Sequence, residues 1–325
     1  MEINKINNID FLNNDLPDKC ANLIIADPPY FEVKGDFDFI WNSFDDYLKD
    51  VEKWAIECKR ILADNGTLFW YGDDKKIAYA QVLMDKHFNL INNLVWNKGS
   101  FMGLEKSEGL RSFAPCTERI LMYGSLAQDT TGRDFIEEKY IAPRNPFSRE
   151  IYKGMKKYNL REIDFRKLRP SKNGNLTGWC SNIILGSSNP TQKDWELIET
   201  IIKSNKKYEE LRKEYEELRK EYEELRRPFN NTMNLQEILN FSNEAQKTGA
   251  KYKHDTVKPE KLTRVLINTC SRKNDLVVVP FAGSGTECAM SVKEGRRFVG
   301  FEIESIYVKI GRERVDKILK QPTLF

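Results

Sequence analysis

Leu23-Ile24-Ile25-Ala26-Asp27-Pro28-Pro29-Tyr30-Phe31 is the stretch on which the fold turns. Leu23 to Ala26 carry no polar side chain, as expected of a strand buried on both faces of a parallel sheet. Asp27 then stands at the carboxyl end of that strand, where open α/β folds bind their ligands. Pro28 and Pro29 fix φ and have no N–H, so the Pro28 carbonyl is offered without a competing donor beside it. A carboxylate, a rigid carbonyl and the face of Tyr30 thus fall within four residues. That set suits a flat ring bearing an amine: two acceptors for its N–H groups and one surface for stacking. The same residues also make an Asx turn closed by prolines, so the flanking sequence has to decide between the two.

Working outward, residues 3–9 predict a short strand ending at Asp10. Phe44, Tyr47, Leu48, Val51, Trp54, Ala55, Cys58, Ile61 and Leu62 recur at helical spacing behind Ser43, an N-cap with Asp45 and Asp46 in the first turn. Asp64-Asn65-Gly66 closes that helix. Strands are expected over 67–71, 90–96 and 119–123, with a helix over 75–86 and a long Gly- and Ser-rich loop over 98–115. The alternation of strands and helices predicts an α/β fold with a mainly parallel sheet.

A second chemistry-bearing stretch lies far downstream. Leu276-Val277-Val278-Val279 reads as a buried strand, and Pro280-Phe281-Ala282-Gly283-Ser284-Gly285-Thr286 follows it into a helix. Two glycines let a backbone approach a ligand closely. The third glycine of a dinucleotide fingerprint is replaced by Cys288, and no Gly-Lys-Ser/Thr follows, so neither a pyrophosphate nor a Walker site is indicated. Glu302, nineteen residues after Gly283 and at the end of the next strand (297–301), can accept both hydroxyls of a ribose. A nucleoside site without a phosphate site fits S-adenosylmethionine. The bland alternative is a glycine turn that packs helix on strand.

Between these stretches the character changes. Residues 139–172 hold eleven lysines and arginines against three acids, with Tyr140, Phe147, Tyr152, Tyr158 and Phe165 interleaved. Arg144, Arg149, Lys153, Lys156, Lys157, Arg166, Lys167, Arg169 and Lys172 are the candidates for contact with nucleic acid; a solvated polar face is the alternative. Residues 208–227 repeat Tyr-Glu-Glu-Leu-Arg-Lys-Glu, with Tyr208, Tyr215 and Tyr222 three residues ahead of Leu211, Leu218 and Leu225. This heptad seam predicts a helix over about 203–227, roughly 37 Å long, ended by Pro228. It would pack on its own domain or pair with a second copy. Residues 125–249 are accordingly expected to form an insertion, with 1–124 and 250–325 as the catalytic domain. Residues 229–250 are expected to be loop plus a short helix.

The bulk numbers exclude other classes. Six scattered cysteines without C-x-x-C spacing and two histidines argue against a structural zinc site or a disulfide framework. No metal is therefore expected. A net charge of +3 says nothing by itself about nucleic acid. Met1-Glu2-Ile3-Asn4-Lys5 is not an apolar signal and no stretch reaches membrane-span length, so a cytoplasmic location without membrane contact is expected.

Asp27-Pro28-Pro29-Tyr30 together with Phe281-Ala282-Gly283-Ser284-Gly285 resembles the amino-methyltransferases that modify adenine N6 or cytosine N4 in DNA. Catalytic motif first, basic insertion next and glycine motif last is similar to the order of the β class. The resemblance implies a doubly wound, Rossmann-like methyltransferase sheet, mostly parallel with one antiparallel strand, plus a helical insertion domain. It also implies S-adenosylmethionine as cofactor and double-stranded DNA as partner, and leaves open a cognate restriction endonuclease. By this likeness Asp27, Pro28, Pro29 and Tyr30 are catalytic. Asp10, Phe281, Gly283, Ser284, Gly285, Thr286 and Glu302 line the cofactor. The segment His254-Asp255-Thr256-Val257-Lys258-Pro259 resembles the one that holds the cofactor's methionine end, through Thr256 and Lys258. Val279 and Asp255 depart from the family pattern, which has Asp and often Pro there. Asp rather than Ser at the head of the catalytic motif points to adenine N6; cytosine N4, RNA adenine or a non-catalytic nucleic-acid-binding protein are the alternative readings.

Overall fold

A computed structural model describes residues 1–33, 38–99, 111, 113, 115–125, 141–242 and 257–320. Most of the expected 98–115 loop, and Thr256 with His254 and Asp255, lie outside the described residues. The strands are β1 (Lys5–Asn7), β2 (Ala21–Ala26), β3 (Leu62–Gly72), β4 (Asn89–Asn97), β5 (Thr117–Gly124), β6 (Ile238–Asn240), β7 (Leu276–Val279) and β8 (Arg297–Phe301). The α-helices are α1 (Phe44–Ile61), α2 (Ile77–Met84), α3 (Pro146–Tyr158), α4 (Glu162–Arg166), α5 (Ser181–Leu185), α6 (Gln192–Ile202), α7 (Tyr208–Leu225), α8 (Glu260–Cys270), α9 (Thr286–Lys293) and α10 (Ser305–Leu319). The chain divides into two compact units, residues 1–131 with 227–325, and residues 132–226.

The first unit is built on one eight-stranded sheet in the order β1-β8-β7-β2-β3-β5-β4-β6. Only β5 runs against the others, pairing antiparallel with both β3 and β4. β2 is central: Ile24 pairs with Leu68 of β3 on one side and Val278 of β7 on the other. The chain leaves β2 toward β3 and returns much later on the opposite side at β7. The crevice between the carboxyl ends of β2 and β7 is therefore the topological switch point, the place where such sheets bind ligands.

Strand alternation sends successive residues to opposite faces. Ile24, Ala26, Leu68, Trp70, Val278 and Phe301 join the buried stripe of α1 (Tyr47, Val51, Trp54, Ala55, Cys58, Ile61). Leu23, Ile25, Phe69, Tyr71, Val277 and Val279 pack with Leu262, Leu266, Ala289 and Val315 of α8, α9 and α10. Both faces of the sheet are thus covered, which is why β2 and β7 read as unbroken apolar runs. Ser43 caps α1 as expected, its hydroxyl accepting the Asp46 N–H at 3.1 Å.

Residues 229–250 differ from expectation where they are described: Ile238–Asn240 form a strand that pairs in parallel with Val95–Asn97, and the Val95 N–H donates to the Glu237 carbonyl. β6 therefore belongs to the sheet although it follows the insertion in sequence. β3 begins earlier than Thr67; the slip of the β2–β3 register between Ala21 and Leu23 absorbs the Asp64-Asn65-Gly66 turn into the strand.

The second unit is helical, with Phe147, Ile151, Phe165, Trp195, Ile198, Ile202 and Leu211 in its core. Gly154 lets α3 and α6 approach, since a Cβ there would collide with Ile202. The heptad helix is shorter than the pattern predicts. Lys203 adopts a left-handed conformation (φ 50°) that terminates α6, and α7 begins at Tyr208. Tyr208, Leu211 and Tyr215 of its seam join the core, whereas Leu225 is exposed.

Candidate active site

Asp27 directly follows β2 at the switch point, and buried Pro28 and half-buried Pro29 and Tyr30 come after it. The Tyr30 hydroxyl donates to Asp27 Oδ1 at 2.8 Å, and the Tyr30 N–H donates to Asp38 Oδ1 at 2.6 Å. Oδ1 also faces Lys258 Nζ at 2.9 Å. Oδ2 receives no donor among the described residues, and the carboxylate keeps 20% of its surface accessible. One oxygen is thus anchored, and the other has no donor among the described residues.

Lys258, expected at the cofactor's methionine end, is 6% exposed and carries its ammonium between Asp27 and Glu118 Oε2, the latter at 3.2 Å. Lys98 holds the other Glu118 oxygen at 3.0 Å. The rings of Tyr71 and Tyr30 lie 4.9 and 5.5 Å from the Lys258 ammonium, a favourable face for a buried cation. Burial and the charge of Glu118 raise the Asp27 pKa, opposed by Lys258. Burial would raise Glu118 too, but Lys258 and Lys98 together hold it below its ordinary value. Burial would discharge Lys258, yet the two carboxylates keep it more basic than usual.

Sequence reasoning missed Glu118, Lys98 and Tyr71. Their signal is the antiparallel strand: β5 runs backward, so its first residues sit at the carboxyl ends of its parallel neighbours. Arg119 pairs with Gly72 and Glu118 with Trp96. Glu287 in the first turn of α9 was also missed. It is buried, accepts from the Thr263 hydroxyl at 3.5 Å, and has its pKa pushed up to about 7 by burial and then by the charge of Asp27.

Glu302, after β8, is held differently. Its Oε2 accepts the Gly283 N–H and its Oε1 the Glu304 N–H, both at 2.8 Å. Each oxygen keeps lone-pair capacity for a further donor, and burial raises its pKa despite these bonds. Phe11 packs on Phe281 and Phe301, with centroids 6.3 and 5.5 Å away, and so brings Asp10, whose Oδ1 caps the short 3-10 helix at Leu12, to the same end of the sheet. Phe281 also meets Trp54 at 4.9 Å. Asp10, Phe281, Gly283 and Glu302 thus gather at the ends of β1, β7 and β8, and an open, backbone-fixed carboxylate there fits a diol.

The remaining residues of the glycine stretch are turned inward. Ser284 is buried with its hydroxyl 3.5 Å from that of Thr286. The Thr286 hydroxyl accepts from Arg314 Nη1 at 2.7 Å, and Arg314 Nη2 reaches Glu260. Gly285 (φ 75°) packs against α10, where a Cβ would lie 2.7 Å from Gly311 Cα. Its glycine character thus serves helix packing as well as the loop.

In the second unit, five of the nine basic candidates are engaged by acids: Arg149 with Glu214, Lys153 with Glu150, Arg166 with Glu162, Lys167 with Asp164 and Arg169 with Asp194. Lys156, Lys157 and Lys172 are exposed and form no ion pair among the described residues. Arg144 ends a short 3-10 helix.

Strand order, the Asp-Pro-Pro-Tyr crevice and the glycine loop facing Glu302 define a Rossmann-like methyltransferase domain. The chain belongs to the DNA methylase family, whose match runs over residues 21–313, and its motif order is that of the β-class amino-methyltransferases. It is 24% identical to the DNA adenine methyltransferase YhdJ of Escherichia coli over 306 residues, 93% of this chain and 78% of that protein. It is 25% identical to the type II methyltransferase M1.MboII of Moraxella bovis over 320 residues, 95% of each. Among solved structures, the M1.HpyAVI–SAM complex is similar in fold, with a TM-score of 0.52 at 16% identity over 96% of this chain and 98% of that one.

Proposed function

We propose that this methyltransferase modifies the N6 amine of adenine in double-stranded DNA. The observation that carries the reading is the asymmetry of Asp27 at the switch point, with Oδ1 held by Tyr30 and Lys258 and Oδ2 without a donor among the described residues. An exocyclic amine is a weak nucleophile because its lone pair is delocalised into the ring. Asp27 Oδ2 and the Pro28 carbonyl accept its two N–H groups, which favours a pyramidal nitrogen and turns the lone pair outward. Positioning and charge placement then supply most of the acceleration. S-adenosylmethionine, when bound, would supply an electrophilic methyl group whose bond to sulfur breaks as the bond to nitrogen forms, sulfur keeping the electron pair, and the proton that the alkylated nitrogen sheds leaves along its hydrogen bond to Asp27 Oδ2 and on to solvent. Glu302 would hold the ribose of that cofactor, with Gly283 and Phe281 beside that carboxylate, and Asp10 is the candidate acid for the adenine. The Tyr30 ring flanks the target base, which has to leave the duplex to reach the crevice.

Lys156, Lys157 and Lys172 are the basic residues of the second unit proposed to meet the phosphate backbone. Paired residues such as Arg169 would give up an acid to do so. The adenine reading rests on Asp at the head of the motif and on the likeness to YhdJ. Methylation-free DNA incubated with the protein and the cofactor, hydrolysed and read as nucleosides, should yield N6-methyladenine; N4-methylcytosine instead would refute the base assignment.

A further inference from the structure

Lys258 has so far entered only as one of two anchors on Asp27 Oδ1 and Glu118 has not entered the chemistry, yet they are the charges nearest Asp27. Lys258 Nζ lies 2.9 Å from Asp27 Oδ1 and 3.2 Å from Glu118 Oε2, and Lys98 closes the row at 3.0 Å from Glu118 Oε1. Acid and base alternate along Asp27, Lys258, Glu118 and Lys98. The Lys258 side chain is 6% exposed, so its ammonium depends on these contacts rather than on bulk water. Tyr30 faces it from the segment after β2 and Tyr71 from β3, and Glu287 of α9 interacts with Asp27 through charge.

We infer that Lys258 is a positioning residue for methyl transfer, clamping Asp27 Oδ1 so that the carboxylate stays ionised and presents Oδ2 to the amine, and that Glu118 sets the strength of that clamp. This rests on Asp27 as the acceptor proposed above. The reason is geometric. Oδ1 takes both the Lys258 ammonium and the Tyr30 hydroxyl, which fixes the plane of the carboxylate and leaves one oxygen for the substrate. A protonated Asp27 would lose one of its acceptor sites and with it the grip on the amine. Without Lys258 the acids Asp27 and Glu118 repel one another in a largely buried site, and one takes up a proton. Glu118 acts in the opposite sense: its charge opposes ionisation of Asp27, and it draws Lys258 partly away.

The two residues therefore have effects of opposite sign on one titration. Protein labelled with 13C at the aspartate carboxyl carbon, with the Asp27 signal identified by its loss in Asp27→Asn, reports ionisation directly and needs no DNA. Lys258→Met should raise the Asp27 midpoint by about one pH unit or more, Glu118→Gln should lower it, and Lys258→Arg should stay near the wild type. The acid limb of the pH profile of turnover should move with the midpoint. Calorimetry should find S-adenosylmethionine affinity within about threefold of wild type, a change under 1 kcal/mol. An unmoved midpoint in Lys258→Met, or a shift of the same sign in Glu118→Gln, overturns the clamp. Weakened cofactor binding with an unmoved midpoint returns Lys258 to the cofactor's methionine end. Should Lys258→Met fail to fold, Glu118→Gln and Lys258→Arg still decide the sign. Absence of methylated nucleosides with wild-type protein refutes the proposed function, while the titration judges the clamp separately.

Discussion

Asp27 and Glu302 are both carboxylates at the carboxyl ends of parallel strands, and they are held in contrasting ways. Asp27 is gripped on one oxygen by side chains from distant parts of the chain, Tyr30 and Lys258. Glu302 is gripped on both oxygens by backbone N–H groups of Gly283 and Glu304. Backbone donors cannot be titrated away, so Glu302 is a fixed acceptor. Side-chain donors carry charge, so Asp27 can be tuned and can also be mistuned. Under the proposed function that difference is used: a group proposed to shape a reacting amine gains from the first arrangement, whereas one proposed only to anchor a ribose needs no more than the second.

The largest test of this contrast removes the reactive member. Asp27→Ala should cut turnover by about 10³-fold or more, with cofactor affinity within about threefold by calorimetry. Retained turnover would end the assignment. Glu302→Gln should do the reverse, weakening S-adenosylmethionine by roughly 10–100-fold, as expected for a charged hydrogen-bonding group, with turnover at saturation nearly unchanged. A fall in turnover with unchanged affinity would place Glu302 in the chemistry and erase the distinction.

The backbone seat can be attacked through its glycine. Gly285→Ala meets Gly311 and a φ of 75°, and should cost about 2–4 kcal/mol in urea unfolding, the sum of a left-handed Cβ penalty and overpacking. On the other side, Tyr30→Phe keeps the ring and removes one of the two donors on Oδ1. Turnover should fall about tenfold while the KM for DNA stays put. An equal rise in KM would mean that the hydroxyl touches DNA rather than Asp27.

How far each arrangement could be read from sequence follows from the same contrast. β2, the glycine loop and Glu302 were legible because their bonds are local or lie at strand ends, where apolar runs and turn residues mark them. The Asp27 clamp was not. Tyr30 and Lys258 lie 228 residues apart in sequence, and Lys258 and Glu118 lie 140 apart. They meet only through the order of strands and the reversed direction of β5. The basic stretch shows the same limit. Charge counting cannot see that Arg149 is matched by Glu214, 65 residues on, so an excess of bases overstated the free cations. The heptads fixed the seam of α7 but not its start, which a left-handed Lys203 decides. β6 is too short, at three residues, to leave a periodic trace.

Glu287 gives the smallest and most indirect test, because it touches neither oxygen of either carboxylate among the described contacts and acts on Asp27 only through charge. Its pKa is raised from an ordinary 4.5 to about 7, first by burial and then by Asp27. A carboxyl whose pKa is raised on folding is protonated in the native state while already ionised in the unfolded one. Between about pH 4.5 and 7 the native state therefore binds more protons than the unfolded state, and stability falls as pH rises. Above pH 7 the full cost is present, up to about 3 kcal/mol by linkage. Glu287→Gln removes this dependence and keeps an acceptor for Thr263. Urea midpoints measured at pH 5 and pH 8 should show the variant gaining on wild type at the higher pH. The Asp27 midpoint should drop slightly in the same variant, since a neighbouring negative charge has gone. Equal pH dependence in the two proteins would show that Glu287 is ionised throughout, and would remove it from the environment that tunes Asp27.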